Sequence, residues 1–259
     1  MNALVSPFDA LAGTYDEDFT STDLGRRLRA AVWRHLDGAF GPGKRVLELG
    51  CGTGEDAVHL AGRGVAVVAT DASDEMVAES GRKAGGAGLD SLVTARVLSF
   101  EELPAAGPSL GTFDGAFSDF GALNCAADLP SVARALGQLL SPGSPLLLVV
   151  MGPCVPWEWG WFLWRGEPSR AFRRLARGGV PWRGLTVTYP SPRRLASAFS
   201  PWFRRKGLAA LGALLPPSYA ASSVSPGTLD LLDRWERRLE GTPPLAWLAD
   251  HYLLTLERR

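Results

Sequence analysis

Glu48-Leu49-Gly50-Cys51-Gly52-Thr53-Gly54 sets a carboxylate ahead of three alternating glycines. Glycines let a backbone approach a ligand closely, and a helix that starts just after them offers free N–H groups. The next β-branched run, VAVVAT, is closed by Asp71, seventeen residues beyond Gly54. An acid at that place can accept two hydrogen bonds from ribose hydroxyls. A dinucleotide fingerprint wants a third glycine three places after the second, and Glu55 stands at that offset from Gly52. Glu55 and Asp56 also put negative charge where a pyrophosphate would sit. A cationic ligand fits this turn better than NAD or FAD.

Other residues able to do chemistry are scattered. His251 opens the last strand-like run, and a histidine there can deprotonate a hydroxyl or an amine, or simply pack at a strand edge. His35 and His59 sit on helical runs and read as structural. Cys51 has no neighbouring base to activate it and reads as a small turn residue. Glu158 is embedded in WEWGWFLWRGEPSRAFRR (157–174), and a buried carboxylate needs a partner, for which Arg165 and Arg170 are candidates. Trp157, Trp161 and Trp164 fall at i, i+4 and i+7, on one face of a helix bounded by Pro156 and Pro168. Three readings of that stretch stay open. It is a helix packed on the domain, a pocket wall with arginines holding an anionic group, or an interfacial foot. Tyr219, in LLPPSY, is a further candidate to face a substrate.

These residues need a frame. RVLELG (45–50), VAVVAT (65–70), SLVTARVLS (91–99), TFDGAFS (112–118) and SPLLLVVM (144–151) read as strands. EDAVHLAGRG (55–64), SDEMVAESGRKAG (73–85) and DLPSVARALGQLLSPG (128–143) read as the helices between them, with Ser73 and Asp128 as caps. Such alternation predicts an α/β, doubly wound parallel sheet. An amphipathic helix (21–40) precedes it. A helix (191–199), a strand-like run (203–215), a helix (225–241) and a terminal strand (250–257) follow it.

Composition narrows the function. The 259 residues balance 27 Lys and Arg against 27 Asp and Glu, which disfavours a nucleic-acid partner. Three dispersed cysteines read as reduced thiols in a cytoplasmic protein. The N-terminal run lacks the pattern of a secretory signal, and no apolar run is long enough for stable membrane insertion. No metal site is expected.

The segments in this order resemble the class I S-adenosylmethionine-dependent methyltransferases of small-molecule type. VLELGCGTGEDAVHLA matches that family's first motif, VVATDASDEMV its second, FDGAFSDFGALN its fourth-strand motif and LLSPGSPLLLVV its fifth-strand segment. The resemblance implies a Rossmann-like seven-stranded sheet in the order 3-2-1-4-5-7-6, with the last strand antiparallel. It implies S-adenosylmethionine as cofactor and S-adenosylhomocysteine as product. It assigns the cofactor to Tyr15, Glu48, Gly50, Cys51, Gly52, Gly54, Asp71, Ala72, Ser73, Met76, Ser99, Phe100, Ser118 and Phe120. Where the family often carries an acid for the adenine amine, this chain has Ser99.

The same resemblance divides the chain into a cofactor-binding half with its N-terminal helix (1–151), an inserted lid (152–190) and a completion of the same domain (191–259). It sets Asp119 and Asn124 near the transferred methyl. His251 and Asn124 are the candidate catalytic residues. Trp157, Trp161, Arg170 and Tyr219 are the candidate substrate contacts. The implied activity is methyl transfer to a small molecule, with oxygen or nitrogen favoured over carbon. A non-methylating cofactor-binding protein or a related lyase or cyclase chemistry is the alternative, and the oligomeric state is open.

Overall fold

In the computed structural model, which describes residues 6–221 and 223–259, the β-branched runs pair in one sheet. Helix α1 (Asp23–Ala39) is capped by the Thr22 hydroxyl, which accepts from the Gly25 N–H. It leads into β1 (Arg45–Leu49), α2 (Glu55–Ala61), β2 (Ala66–Asp71), α3 (Asp74–Gly86), β3 (Val93–Val97), α4 (Leu103–Leu110), β4 (Gly115–Ser118), α5 (Leu129–Leu139) and β5 (Pro145–Met151). The caps read from Ser73 and Asp128 both form, accepting from Met76 N–H and Ser131 N–H. Helix α4 was not expected; its LPAAGPSL sequence has two prolines and a glycine, which hide the helical pattern.

After β5 come α6 (Pro156–Trp164), the single turn α7 (Pro168–Ala171) and a 3-10 turn (Arg173–Leu175). An unforeseen hairpin of β6 (Val180–Trp182) and β7 (Leu185–Val187) closes this insertion. The chain then returns through α8 (Pro192–Phe199), β8 (Phe203–Leu211), the short α9 (Ser218–Ala221), α10 (Pro226–Leu239) and β9 (His251–Arg258).

The main sheet has seven strands in the order β3-β2-β1-β4-β5-β9-β8. Strands β1 to β5 are parallel, and β9 runs antiparallel to both β5 and β8. This is the Rossmann-like order that the resemblance implied. The run read as a strand to residue 215 stops at Leu211, where Gly212 turns with φ +70°.

Strand alternation sorts the core into two layers. Leu47, Leu49, Leu146 and Leu148 pack with α4, α5 and α8, while Val46, Phe117, Leu147 and Val149 pack with α1 and α2. Glu48 lies two residues after Val46, and Asp119 two after Phe117. Both carboxylates therefore leave the strand ends toward the α1–α2 side. Because β9 is antiparallel, its first residue, His251, sits opposite Met151, the last residue of β5. It thus reaches the carboxyl edge of the sheet, where open α/β sheets take ligands.

Candidate functional site

The turn from β1 into α2 needs its glycines. Gly50 (φ +73°) and Gly54 (φ +81°) are left-handed, and a Cβ would come within 2.2 Å of Ala122 Cβ at Gly50 and of Ser80 Oγ at Gly54. Gly52 faces open space. The turn is tied to the tip of β2, because Asp71 accepts from Gly52 N–H at 3.0 Å and Ser73 N–H at 2.9 Å. Burial pushes the Asp71 carboxyl up, and these N–H groups pull it back only in part. Ala72 and Met76 follow on that tip, with Met76 fully buried. Cys51 is buried, and its thiol is pushed up first by burial, then by Glu48 and Asp71. It is not activated.

Beside the turn lies a buried acidic trio. The carboxylates of Glu48, Asp56 and Asp119 approach within 4.8 Å of one another. One guanidinium serves all three. Arg29, on α1, pairs with Asp56, which also accepts from Trp33 Nε1 at 2.6 Å. Asp56 therefore stays below its usual range despite burial. Glu48 is fully buried, and among the described residues neither of its oxygens has a hydrogen-bond partner; Asp119 Oδ2 is likewise without one. Burial, reinforced by the Asp56 charge, pushes the carboxyls of Glu48 and Asp119 well above their ordinary range. The site is short of positive charge, and a cationic ligand would supply it. S-adenosylmethionine, with an ammonium and a sulfonium, fits that donor set.

An aromatic wall adjoins the trio. Phe120 holds the non-glycine φ of +42°, a conformation that costs of order 1–3 kcal/mol and collects at functional sites. Its ring meets Phe19 at 5.1 Å and His251 at 6.0 Å, with the Arg29 guanidinium 4.7 Å over its face. Tyr15 packs on Phe19 at 6.0 Å, and burial raises its hydroxyl to about 12 against the pull of Arg29. The arm carrying Tyr15 is fastened to the glycine turn, since Asp16 accepts from Thr53 Oγ1 and Lys83 Nζ, both at 2.7 Å. Asp9 on that arm also bonds the Ser73 hydroxyl, and Phe8 touches Trp182 of the insertion at 5.2 Å.

Two expectations need revision. Asn124 was a candidate catalytic residue near the transferred methyl, but its amide is engaged by backbone. Oδ1 accepts from Met151 N–H at 2.9 Å, and Nδ2 donates to the carbonyls of Met151 (3.1 Å) and Thr188 (2.6 Å). It staples the end of β4 to β5 and to the exit of the hairpin. Glu158 is indeed buried and paired, but with Arg173 (2.9 Å) and Arg174 (2.8 Å). Arg165 and Arg170 instead flank Glu167.

Glu158 and Phe162 form the buried face of α6, so the tryptophan row turns the other way. Trp164 is 80% exposed, and Trp157 is 37% exposed with its Nε1 donating to Leu214 O. Trp161 and Phe162 meet Tyr219 at 6.2 and 5.2 Å. Pro156, Trp157, Gly160, Trp161 and Trp164 line an open groove of about 330 Å³. Arg170 is exposed and stacks over Phe162 at 4.4 Å. These substrate candidates form a cluster of their own around α6. Ser99 is occupied by Glu102, which accepts from both its hydroxyl and its N–H. Phe100 packs against the α5 core layer, and Ser118 is buried without a partner for its hydroxyl.

Arg29 and Asp250 were missed from the sequence. Arg29 lies within the buried stripe of Leu28, Val32 and Leu36, and a cation inside an apolar stripe was the available signal. Asp250 neighbours His251 in sequence but meets Arg174, 76 residues away, only by folding, and carried no such signal.

Residues 46–143 match a family model described as a methyltransferase domain. The chain is 32% identical over 162 residues to the demethylmenaquinone methyltransferase of Beutenbergia cavernae, covering 60% of this chain and 62% of that one. It thus spans about three fifths of that relative's length. Among solved structures, the geranyl diphosphate C-methyltransferase of Streptomyces coelicolor A3(2), bound to S-adenosylhomocysteine, has a TM-score of 0.58 at 14% identity, over 90% of this chain and 80% of that one. The [4+2]-cyclase SpnF has a TM-score of 0.55 at 18% identity, over 96% and 80%. At those identities the likeness is one of fold. Among the described residues, no helix is long and apolar enough to cross a membrane.

Proposed function

We propose that the chain, whose residues 46–143 match a methyltransferase domain, is a class I S-adenosylmethionine-dependent methyltransferase that transfers a methyl group to the oxygen or nitrogen of a small molecule. The observation that carries this is the buried trio with one guanidinium and two under-satisfied carboxylates, Glu48 and Asp119, beside the glycine turn. When bound, S-adenosylmethionine supplies an electrophilic methyl on a sulfonium. Glu48 and Asp119 would take its cationic groups, and Asp71 its ribose hydroxyls. The Gly50–Gly54 turn would lie against its backbone-facing side. Ala72, Ser73, Met76 and Phe100, with the backbone at Ser99, would border the adenine. Tyr15 and Phe120 would wall the methionine end.

The rest of the chain excludes water and positions the acceptor. The N-terminal arm and the 152–190 segment meet through Phe8 and Trp182, which supports their acting as a cover. Much of the rate of such a transfer comes from holding the reacting atoms in line. A neutral hydroxyl or amine also needs a base, and His251, at the ligand edge and one ring from the trio, is our candidate. The neutral charge balance and dispersed cysteines support a cytoplasmic enzyme of small molecules rather than of nucleic acid. Isothermal calorimetry with S-adenosylmethionine and S-adenosylhomocysteine tests the reading. Binding of both is expected, and absence of heat with either at about millimolar ligand, beyond the range of functional cofactor affinities, would sink it.

A further inference from the structure

Resting on the methyl-transfer reading, we propose that Asp250 and Arg174 are positioning residues that hold His251 with Nε2 bare, so that the base depends on the inserted segment carrying Arg174. His251 Nδ1 lies 3.0 Å from Asp250 Oδ2, at ion-pair distance though not aligned as a hydrogen bond, so the ring's Nδ1 edge faces the carboxylate. A carboxylate can only accept, so the proton of the neutral ring belongs on Nδ1 and the lone pair on Nε2. The other oxygen, Asp250 Oδ1, accepts from Arg174 Nη2 at 2.7 Å. Arg174 comes from the 3-10 turn of the insertion and is itself buried. The same guanidinium pairs with Glu158 of α6 at 2.8 Å and donates to the carbonyls of Gly152 and Asp250, both at 3.3 Å.

Glu158, Arg174, Asp250 and His251 thus run from the insertion to the edge of the sheet without a break. Burial disfavours the Asp250 anion, but the charge that His251 carries when protonated and the Arg174 guanidinium hold its carboxyl far below the usual carboxylate range. It stays an acceptor at all working pH. Arg173, Tyr189 and Tyr219 border the chain from the insertion and from α9. Phe120 covers the imidazole from the β4 side.

In the step this serves, the acceptor's lone pair forms the new bond to the methyl carbon as the carbon–sulfur bond breaks, its electron pair staying on sulfur. The acceptor's proton passes to Nε2 of His251, and the imidazolium returns it to water as products leave. Asp250 faces the charge that forms on the ring. Displacement of the insertion would withdraw Arg174, free Asp250 to turn, and release the tautomer.

The chain has three histidines, so their ring nitrogens can be resolved by long-range ¹H–¹⁵N correlation on the full-length protein, with His251→Gln to assign His251. At about pH 9, where an ordinary imidazole is neutral, wild type is expected to show the Nδ1-protonated tautomer at His251. Asp250→Asn is expected to reverse it. Arg174 keeps the amide oxygen, the amide NH₂ then faces Nδ1, and the proton moves to Nε2. An Nε2-protonated or doubly protonated His251 in wild type overturns the proposal, even if the variant does not fold. So does a tautomer that Asp250→Asn leaves unchanged. Calorimetry of wild type with S-adenosylmethionine separates the two failures. Without binding the methyl-transfer reading falls; with binding and the wrong tautomer, only the Asp250–Arg174 assignment falls.

Discussion

Replacing Glu48 by glutamine should stabilise the free protein while weakening its cofactor. Glu48 is fully buried with both oxygens unpartnered, and its folded carboxyl is raised above the ordinary value of 4.5 by burial and by Asp56. A raised acid contributes stability below its unfolded pKa and loses it as pH climbs through the folded one. Glutamine has the same shape and no such loss. At pH 7 the gain cannot exceed the cost of protonating an ordinary glutamate, about 3.5 kcal/mol, and near pH 4 it should vanish. For a domain of this size, each kcal/mol moves Tm by about 2–4 °C.

With ligand the sign reverses. Losing a charged hydrogen bond costs about 2 kcal/mol, or roughly thirtyfold in Kd. S-adenosylmethionine at about a hundred times the wild-type Kd stabilises wild type by about 2.7 kcal/mol and the variant by only about 0.9 kcal/mol. Thermal scans with and without S-adenosylmethionine, at pH 7 and at about pH 4, read both effects. A variant less stable without ligand at pH 7, with an undiminished ligand shift, would refute the assignment of Glu48 to a cationic group.

Asp71→Ala removes the acceptor proposed for the ribose and the tie to Gly52 and Ser73 N–H, so S-adenosylmethionine should bind on the order of a hundredfold more weakly by calorimetry. Unchanged affinity would place the ribose elsewhere. Asn124→Ala leaves the peptide groups of Met151 and Thr188 without their amide partner. Thermal melts should show a loss of about 2–4 kcal/mol. A variant as stable as wild type would show that the staple is dispensable.

The motif residues were legible because local rules fix them. Gly50, Gly54 and Asp71 are set by a tight turn and a strand tip, and Ser73 and Asp128 by capping chemistry within three residues. The parallel sheet followed from the alternation of runs, and the strand order from the family resemblance. The charge partners were not legible, because a helix face or a turn decides them. Glu158 needed a partner, as expected for a buried carboxylate, yet sequence neighbours Arg165 and Arg170 lost to Arg173 and Arg174. Asn124 was a polar residue in the right place, and only the path of the hairpin shows its amide engaged by Thr188. The tryptophan row was correctly aligned on one face, but periodicity does not say which face is inward. A charged Glu158 drew the inward side to the arginines, leaving Trp164 in solvent.

The chain's zero net charge conceals where its ions are placed. Three networks each join an accessory segment to the ligand edge of the sheet: Lys83 with Asp16 of the N-terminal arm and Glu55, Arg29 of α1 with Asp56, and Arg174 of the insertion with Glu158 and Asp250. The Arg29–Asp56 and Arg174–Glu158 pairs are buried, and buried pairs add little net stability compared with apolar packing, because desolvation offsets the attraction. Breaking one leaves an uncompensated charge, which costs about 3–5 kcal/mol. Such pairs therefore discriminate between docked and undocked segments more than they stabilise the fold. On the proposed reading, a sheet that binds a cation through Glu48 and Asp119 would need that discrimination. On that reading the arm, α1 and the 152–190 segment would each have to be seated before Glu48, Asp119 and His251 are enclosed together.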